Sequence, residues 1–150
     1  MKIRVETTED EDEIVIKCRH PDEGAELLRR LIDSGVIAKS ELLLYVGNTE
    51  YYVDKNAVLF FETCDGRVYA HTAGQMLRCD YKLFELEAIM PAHFVRISKS
   101  AIANIKLISS LSRELTGNGR ITFKDSDKAA YFSRAYYKLL KDKIDEVRFS

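Results

Sequence analysis

The spacing of apolar positions changes along the chain and divides it into two stretches. Residues 2–7 alternate apolar and polar, and Ile14-Val15-Ile16 follows the acidic run Glu9-Asp10-Glu11-Asp12-Glu13, which predicts two short strands around a solvated turn. Pro21 suits the first position of a helix, with Asp22 and Glu23 where negative charge complements the helix N-terminus. Leu27, Leu28, Leu31 and Ile32 then recur at helical spacing, and Gly35 supplies a stop. Residues 1–41 therefore predict a small β-β-α extension. It is too short to bury much alone, so it packs on the rest of the chain or on a second copy of itself.

From Leu42 the pattern shifts to short β-rich runs. Residues 42–46 and 51–53 flank Gly47-Asn48, and residues 58–63 run to Asp65-Gly66 before 67–72 return. Asp-Gly between two such runs is a hairpin signal, because the turn needs positive φ. Ala73-Gly74 turns the chain into residues 75–79. Asp80 is placed to cap a helix whose Leu83, Leu86, Ile89 and Met90 share one face, ending at Pro91. Residues 94–97, 102–105 and 107–111 are strand-like. Gly117-Asn118-Gly119 leads into a strand at 120–123, and residues 129–132 form the last one. Ser133 then caps a closing helix with Tyr136, Leu139, Leu140 and Ile144 on one face. The expected class is mainly β, α+β overall, with a mid-chain and a C-terminal helix in a domain spanning 42–150.

Composition narrows the class without naming a function. The chain has 150 residues and is 46% hydrophobic, which excludes a disordered chain and allows a core without metals or disulfides. No apolar run approaches the roughly 20 residues that span a bilayer. Met1-Lys2-Ile3-Arg4 opens no secretory signal, so the expected location is cytoplasmic. Cys18, Cys64 and Cys79 have no paired short spacing, which favours reduced thiols over a zinc site or disulfide framework.

The net charge of −1 conceals an asymmetry. Residues 1–41 hold seven bases against eleven acids, 42–90 hold four against seven, and 91–150 hold twelve against six. An acidic front joined to a basic back is a pointer to nucleic acid.

Catalytic patterns are lacking. His20, His71 and His93 are scattered, there is no phosphate-binding glycine loop or nucleophile elbow, and Gly117-Asn118-Gly119 precedes no Lys-Ser/Thr helix start. Glu85 and Glu87 fall on the polar side of the mid-chain helix, where solvation is the ordinary role. Neither an enzyme, a cofactor nor a metal is expected.

Four blocks carry a family resemblance. Phe94-Val95-Arg96-Ile97-Ser98-Lys99-Ser100-Ala101-Ile102-Ala103-Asn104 resembles the F-x-R-hydrophobic-[HS]-[RK]-S-x-hydrophobic-x-N block of the LytTR family of bacterial DNA-binding domains. Leu59-Phe60-Phe61-Glu62 before Asp65-Gly66, Leu83-Phe84-Glu85-Leu86-Glu87, and Ser133-Arg134-Ala135-Tyr136 match its other blocks in order. Together they cover residues 42–148.

The resemblance implies small successive β-sheets whose loops, rather than a recognition helix, enter adjacent major grooves. It places Lys99 in a loop that reaches base edges, with Arg96 and Ser98 beside it on bases or phosphates, and Arg134 at a second base-reading position. Ser100 and Asn104 match its polar positions, either as DNA contacts or as turn hydrogen bonds holding the loop. Arg67 lies near the family's remaining DNA-facing loop, which here is short. Ser98 stands where His is frequent and Ala135 where a second Arg is frequent, so base preference should differ. Arg113, Arg120, Lys124 and Lys128 are solvated charges or phosphate contacts.

Residues 1–41 are too few for a phosphoacceptor receiver. The implied protein is a standalone bacterial transcription regulator of promoter repeats, acting as a homodimer or under a membrane or cytosolic protein partner. The rival reading is a protein-interaction module on the same fold that does not bind DNA.

Overall fold

A computed structural model describes residues 21–34 and 40–149. The strands expected within 2–7 and 14–16, Cys18 and the Gly35 stop lie outside the described residues. Helix α1 (Pro21–Ser34) leads to strands β1 (Glu41–Val46), β2 (Thr49–Asp54), β3 (Phe60–Cys64), β4 (Arg67–His71) and β5 (Met76–Cys79). Helix α2 (Leu83–Ile89) precedes β6 (Phe94–Ser98), β7 (Ala101–Asn104), β8 (Ile108–Arg113), β9 (Gly119–Phe123) and β10 (Ala129–Phe132). A 3₁₀ turn at Arg134–Tyr136 opens into α3 (Tyr137–Phe149).

The strands form two antiparallel sheets, one of seven in the order β2-β1-β5-β4-β3-β7-β6 and one of three in the order β10-β9-β8. The Asp65-Gly66 hairpin has φ of 51° and 76°, the positive values that an Asp-Gly turn supplies.

The centre of the large sheet is buried on both faces. Phe61 of β3, Ile102 of β7 and Phe94 of β6 face one core with Leu27 of α1 and Leu83, Leu86 and Ile89 of α2. Their neighbours Phe60, Ala101, Ala103, Val95 and Ile97 face a second core with Ile108, Ile121, Phe123, Ala130 and Phe132 of the small sheet and Leu140 and Ile144 of α3. Two-sided burial explains the unbroken apolar run Val58-Leu59-Phe60-Phe61 where a one-faced strand would alternate. Phe60 stacks on Phe123 across the two sheets, with ring centres 5.4 Å apart. Each fully buried Phe or Ile stabilises the fold by about 1.5–3 kcal/mol.

Several expectations need correction. Helix α2 starts at Leu83 rather than behind Asp80. The Lys82 N–H donates to Glu85 Oε1 at 3.0 Å, while Asp80 takes the Arg78 guanidinium at 3.3 Å. Glu85 and Glu87 are not left to solvent: Glu85 is buried against Arg30 of α1, and Glu87 pairs with Arg96. Ile105 and Leu107 belong to a 3₁₀ turn between β7 and β8. Ser133 makes no side-chain cap. The inward face of α3 is Tyr137, Leu140 and Ile144, whereas Leu139 is half exposed. The α-helix begins at Tyr137, after a 3₁₀ turn over Arg134–Tyr136, and its i, i+3, i+7 face is Tyr137, Leu140 and Ile144, which leaves Leu139 to the side.

Of the cysteines, Cys64 is exposed and Cys79 buried, both free, and burial pushes the Cys79 thiol up to about 12.

Candidate nucleic-acid interface

Strands β6 and β7 are joined by a two-residue turn, Lys99-Ser100, behind a bulge between Arg96 and Ser98. A bulge adds local twist and re-aims the residues beyond it. The Arg96 guanidinium donates through Nε to the Ser98 carbonyl at 2.7 Å, through Nη2 to the Lys99 carbonyl and through Nη1 to Glu87. Ser98 Oγ accepts the Ser100 N–H at 3.1 Å, and the Ser100 carbonyl accepts the Thr63 N–H of β3 at 2.8 Å. Arg96, Ser98 and Ser100 thus shape the turn, and Lys99 is exposed at its tip with no hydrogen bond or ion pair for its ammonium among the described residues.

Arg134 lies beyond β10. The Ser133 N–H donates to the Ile97 carbonyl of β6 at 3.0 Å, and the Arg134 N–H donates to Asn118 Oδ1 at 2.8 Å. The aliphatic stem of Arg134 crosses Gly117, where φ is +92°. Its guanidinium is exposed and also without a partner among the described residues.

Strand register gathers these positions. β3 pairs with β7 through Glu62↔Ala101, so the β3–β4 turn at Asp65-Gly66 and the β6–β7 turn lie at the same end of the sheet. Arg67, the first residue of β4, is exposed there. The Ile97–Ser133 and Asn118–Arg134 hydrogen bonds bring the start of the closing helix to that end as well. Arg67, Lys99 and Arg134, distant in sequence, therefore share one end of the molecule.

Asn104 does not join them. It is 1% exposed, its amide donates to the Val58 carbonyl at 3.0 Å, and its Oδ1 accepts the Lys106 N–H at 3.1 Å. Buried at the far end of β7, it ties that strand to the Val58 carbonyl.

Other bases are also engaged inward. Lys128 Nζ donates to the Gln75 carbonyl and faces His71 Nδ1 at 3.4 Å, Arg148 donates to the Ile108 carbonyl at 2.7 Å, and Arg113 stacks over Tyr137 at 4.1 Å. Arg120 is exposed on β9, and Lys124 is exposed in the turn just after it.

Sequence reasoning missed Glu87, Gly117 and Asn118. Only the Asn-Gly pair gave a signal, and it pointed to a turn alone. Among the described residues no group of His, Cys, Asp and Glu is placed to hold a metal, and no helix is long and apolar enough to cross a membrane.

Residues 48–145 match the LytTr DNA-binding domain family. The chain belongs to the LytTR family. Two curated relatives, from Staphylococcus aureus strains NCTC 8325 and MRSA252, are 35% and 34% identical over 107 residues, 71% of this chain and 72% of theirs. Both are described as uncharacterized HTH-type transcriptional regulators. A solved LytTr DNA-binding domain from Bacillus cereus superposes with a TM-score of 0.66 at 20% identity, covering 71% of this chain and 97% of that one. The LytTR fold here has no helix-turn-helix among the described residues, because five strands separate α1 from α2 and five more separate α2 from α3. The family is one of DNA-binding domains rather than an enzyme class.

Proposed function

We propose that this LytTR protein is a bacterial transcription regulator that binds double-stranded promoter DNA sequence-specifically, with turns of its β-sheets in adjacent major grooves. The observation that carries this is the convergence of three exposed cations, Arg67, Lys99 and Arg134, at one end of the sheet, none with an intramolecular partner among the described residues. Their chemistry suits DNA recognition, because Arg and Lys read the O6 and N7 acceptors of guanine and either can hold a phosphate.

In this reading Lys99 and Arg134 meet base edges, and Arg67 is the weakest of the three contacts, since exposed Asp65 beside it lowers the local positive potential. Arg96, Ser98 and Ser100 set the shape of the Lys99 turn. The net −1 of the chain keeps non-specific attraction low while this end supplies local positive charge. The regulator works in the cytoplasm as a homodimer on repeated promoter elements, with residues 1–41 as the route by which a membrane or cytosolic partner acts on it.

The test is titration of the purified chain with the duplex upstream of its own gene at two salt concentrations. Specific binding should weaken with a log–log slope of about −0.9 per neutralised phosphate. An absence of complex even at low salt would favour the protein-interaction module.

A further inference from the structure

The geometry points to Gly117 and Asn118 as positioning residues that set the direction in which Arg134 meets a base. This rests on the reading of Arg134 as a base contact and adds what holds it there.

Arg134 opens a 3₁₀ turn, so its N–H is one of those at a helix start that lack a partner within the helix. A capping side chain at the preceding position reaches the N–H groups one or two residues further on, and Ser133 makes no such cap, so the Arg134 N–H needs an acceptor from elsewhere in the fold. Asn118, sixteen residues earlier, accepts that N–H at 2.8 Å instead. The backbone from which the side chain departs is therefore fixed to the β8–β9 turn.

Gly117 fixes the next stretch. A Cβ at this position would lie 2.6 Å from Arg134 Cδ, 2.7 Å from Cγ and 3.2 Å from Cβ. The stem of the arginine occupies the space that any other residue would need. With the first three side-chain carbons resting on the glycine, rotation is left chiefly to the outer end of the side chain. A long cation ordered before binding loses less freedom when it pairs with a base, which sharpens discrimination.

The seat is itself braced. The Gly117 N–H donates to the Glu114 carbonyl at 2.9 Å, the Glu114 N–H to the Asn118 carbonyl at 2.8 Å, and the Asn118 N–H to Thr116 Oγ1 at 3.3 Å. Gly119 comes next with no space for a Cβ, since Ser112 O would lie at 2.1 Å, which keeps the hairpin closed beneath the arginine. These contacts link a turn that carries no charge at 117 and 118 to the direction of one guanidinium.

The experiment selects duplexes from a randomised double-stranded DNA pool with the purified full chain, then compares base preferences for wild type, Arg134→Ala, Asn118→Ala, Asn118→Asp, Gly117→Ala and Lys99→Ala, with a melting curve for each. Asn118→Ala should lose roughly tenfold in preference at the base positions that Arg134→Ala flattens, and leave those flattened by Lys99→Ala unchanged. Asn118→Asp, which keeps the acceptor, should restore the profile. Adding Asn118→Ala to Arg134→Ala should cost nothing further at those positions. Gly117→Ala should flatten the same bases in a chain that still melts cooperatively.

A profile unchanged in Asn118→Ala, while Arg134→Ala alters it, overturns the positioning role and leaves the DNA reading intact. Equal losses at the Lys99 and Arg134 positions, tracking the fall in melting temperature, also overturn it. An unaltered profile in Arg134→Ala overturns this inference together with the assignment of Arg134. Failure of the wild type to enrich any sequence overturns the proposed function itself.

Discussion

The amide of Ser133 donates to the carbonyl of Ile97 at 3.0 Å, tying the residue before Arg134 to the strand that ends in the Lys99 turn. One backbone hydrogen bond therefore sets the two proposed readers in a common frame, although 35 positions separate Lys99 from Arg134 in the chain. Phosphate contacts and base contacts can be made in register only if such a frame is stiff.

The Lys99 turn depends on Arg96 in the same way. Its guanidinium joins Glu87 of α2 to the carbonyls of Ser98 and Lys99. Arg96→Ala should weaken specific DNA binding by about 1–3 kcal/mol through loss of the turn's shape, a cost of the size expected for one base contact. Glu87→Gln should give a smaller loss, since an amide still accepts but no longer pairs charge. Titrations of both variants with a selected duplex check this, and full affinity in Arg96→Ala would contradict it.

Gly119 offers a stability test. A Cβ there would meet Ser112 O at 2.1 Å and Phe132 Cζ at 2.3 Å, backbone and ring that cannot both move aside cheaply. Gly119→Ala should cost at least the roughly 1–3 kcal/mol typical of overpacking, read from urea unfolding. A change below about 0.5 kcal/mol, the usual surface value, would contradict the packing of the small sheet.

Two buried histidines set a pH dependence. Burial lowers the proton affinity of His71, with Lys128 adding to the effect and the Glu62 carboxylate opposing it. Burial, then Lys106, lowers that of His93. His71 Nε2 lies 2.8 Å from Glu62, and His93 Nε2 has no partner among the described residues. A folded-state value below the ordinary 6.5 means the unfolded chain binds protons first. The stability contributed is complete above 6.5 and is lost as pH falls from there toward the lowered folded-state values. Urea midpoints measured from about pH 8 down to about pH 5 should fall, and His93→Gln should reduce the fall. A flat profile in the wild type would contradict the assignment.

Most of the local structure was readable in the chain. Asp65-Gly66 and Gly47 take the positive φ that their turns require, and the apolar runs around Phe61 and Ile102 lie in the core. Periodicity reports which way a side chain faces but not which strand lies alongside, so the pairing of β3 with β7, across the intervening β4, β5, α2 and β6, was not legible. The same limit hid the supports of the site. Glu87 looked like a solvated helix residue because its partner Arg96 is brought to it by the fold, and Asn118 looked like turn punctuation because Arg134 arrives sixteen residues later. The cations themselves were legible through the family blocks. Asn104 was also singled out there, and the fold buries it in a hydrogen bond to the Val58 carbonyl, which the chain alone did not reveal.

The most direct test of the central claim compares Lys99→Ala, Arg134→Ala and Arg148→Ala on a duplex selected by the wild type and on a scrambled duplex of the same length. Arg148 donates to the Ile108 carbonyl, away from the proposed interface, and serves as the control. Lys99→Ala and Arg134→Ala should each lose about 1–3 kcal/mol on the selected duplex and far less on the scrambled one, with Arg148→Ala close to wild type on both. Equal affinities of all three variants for the selected duplex would contradict the account.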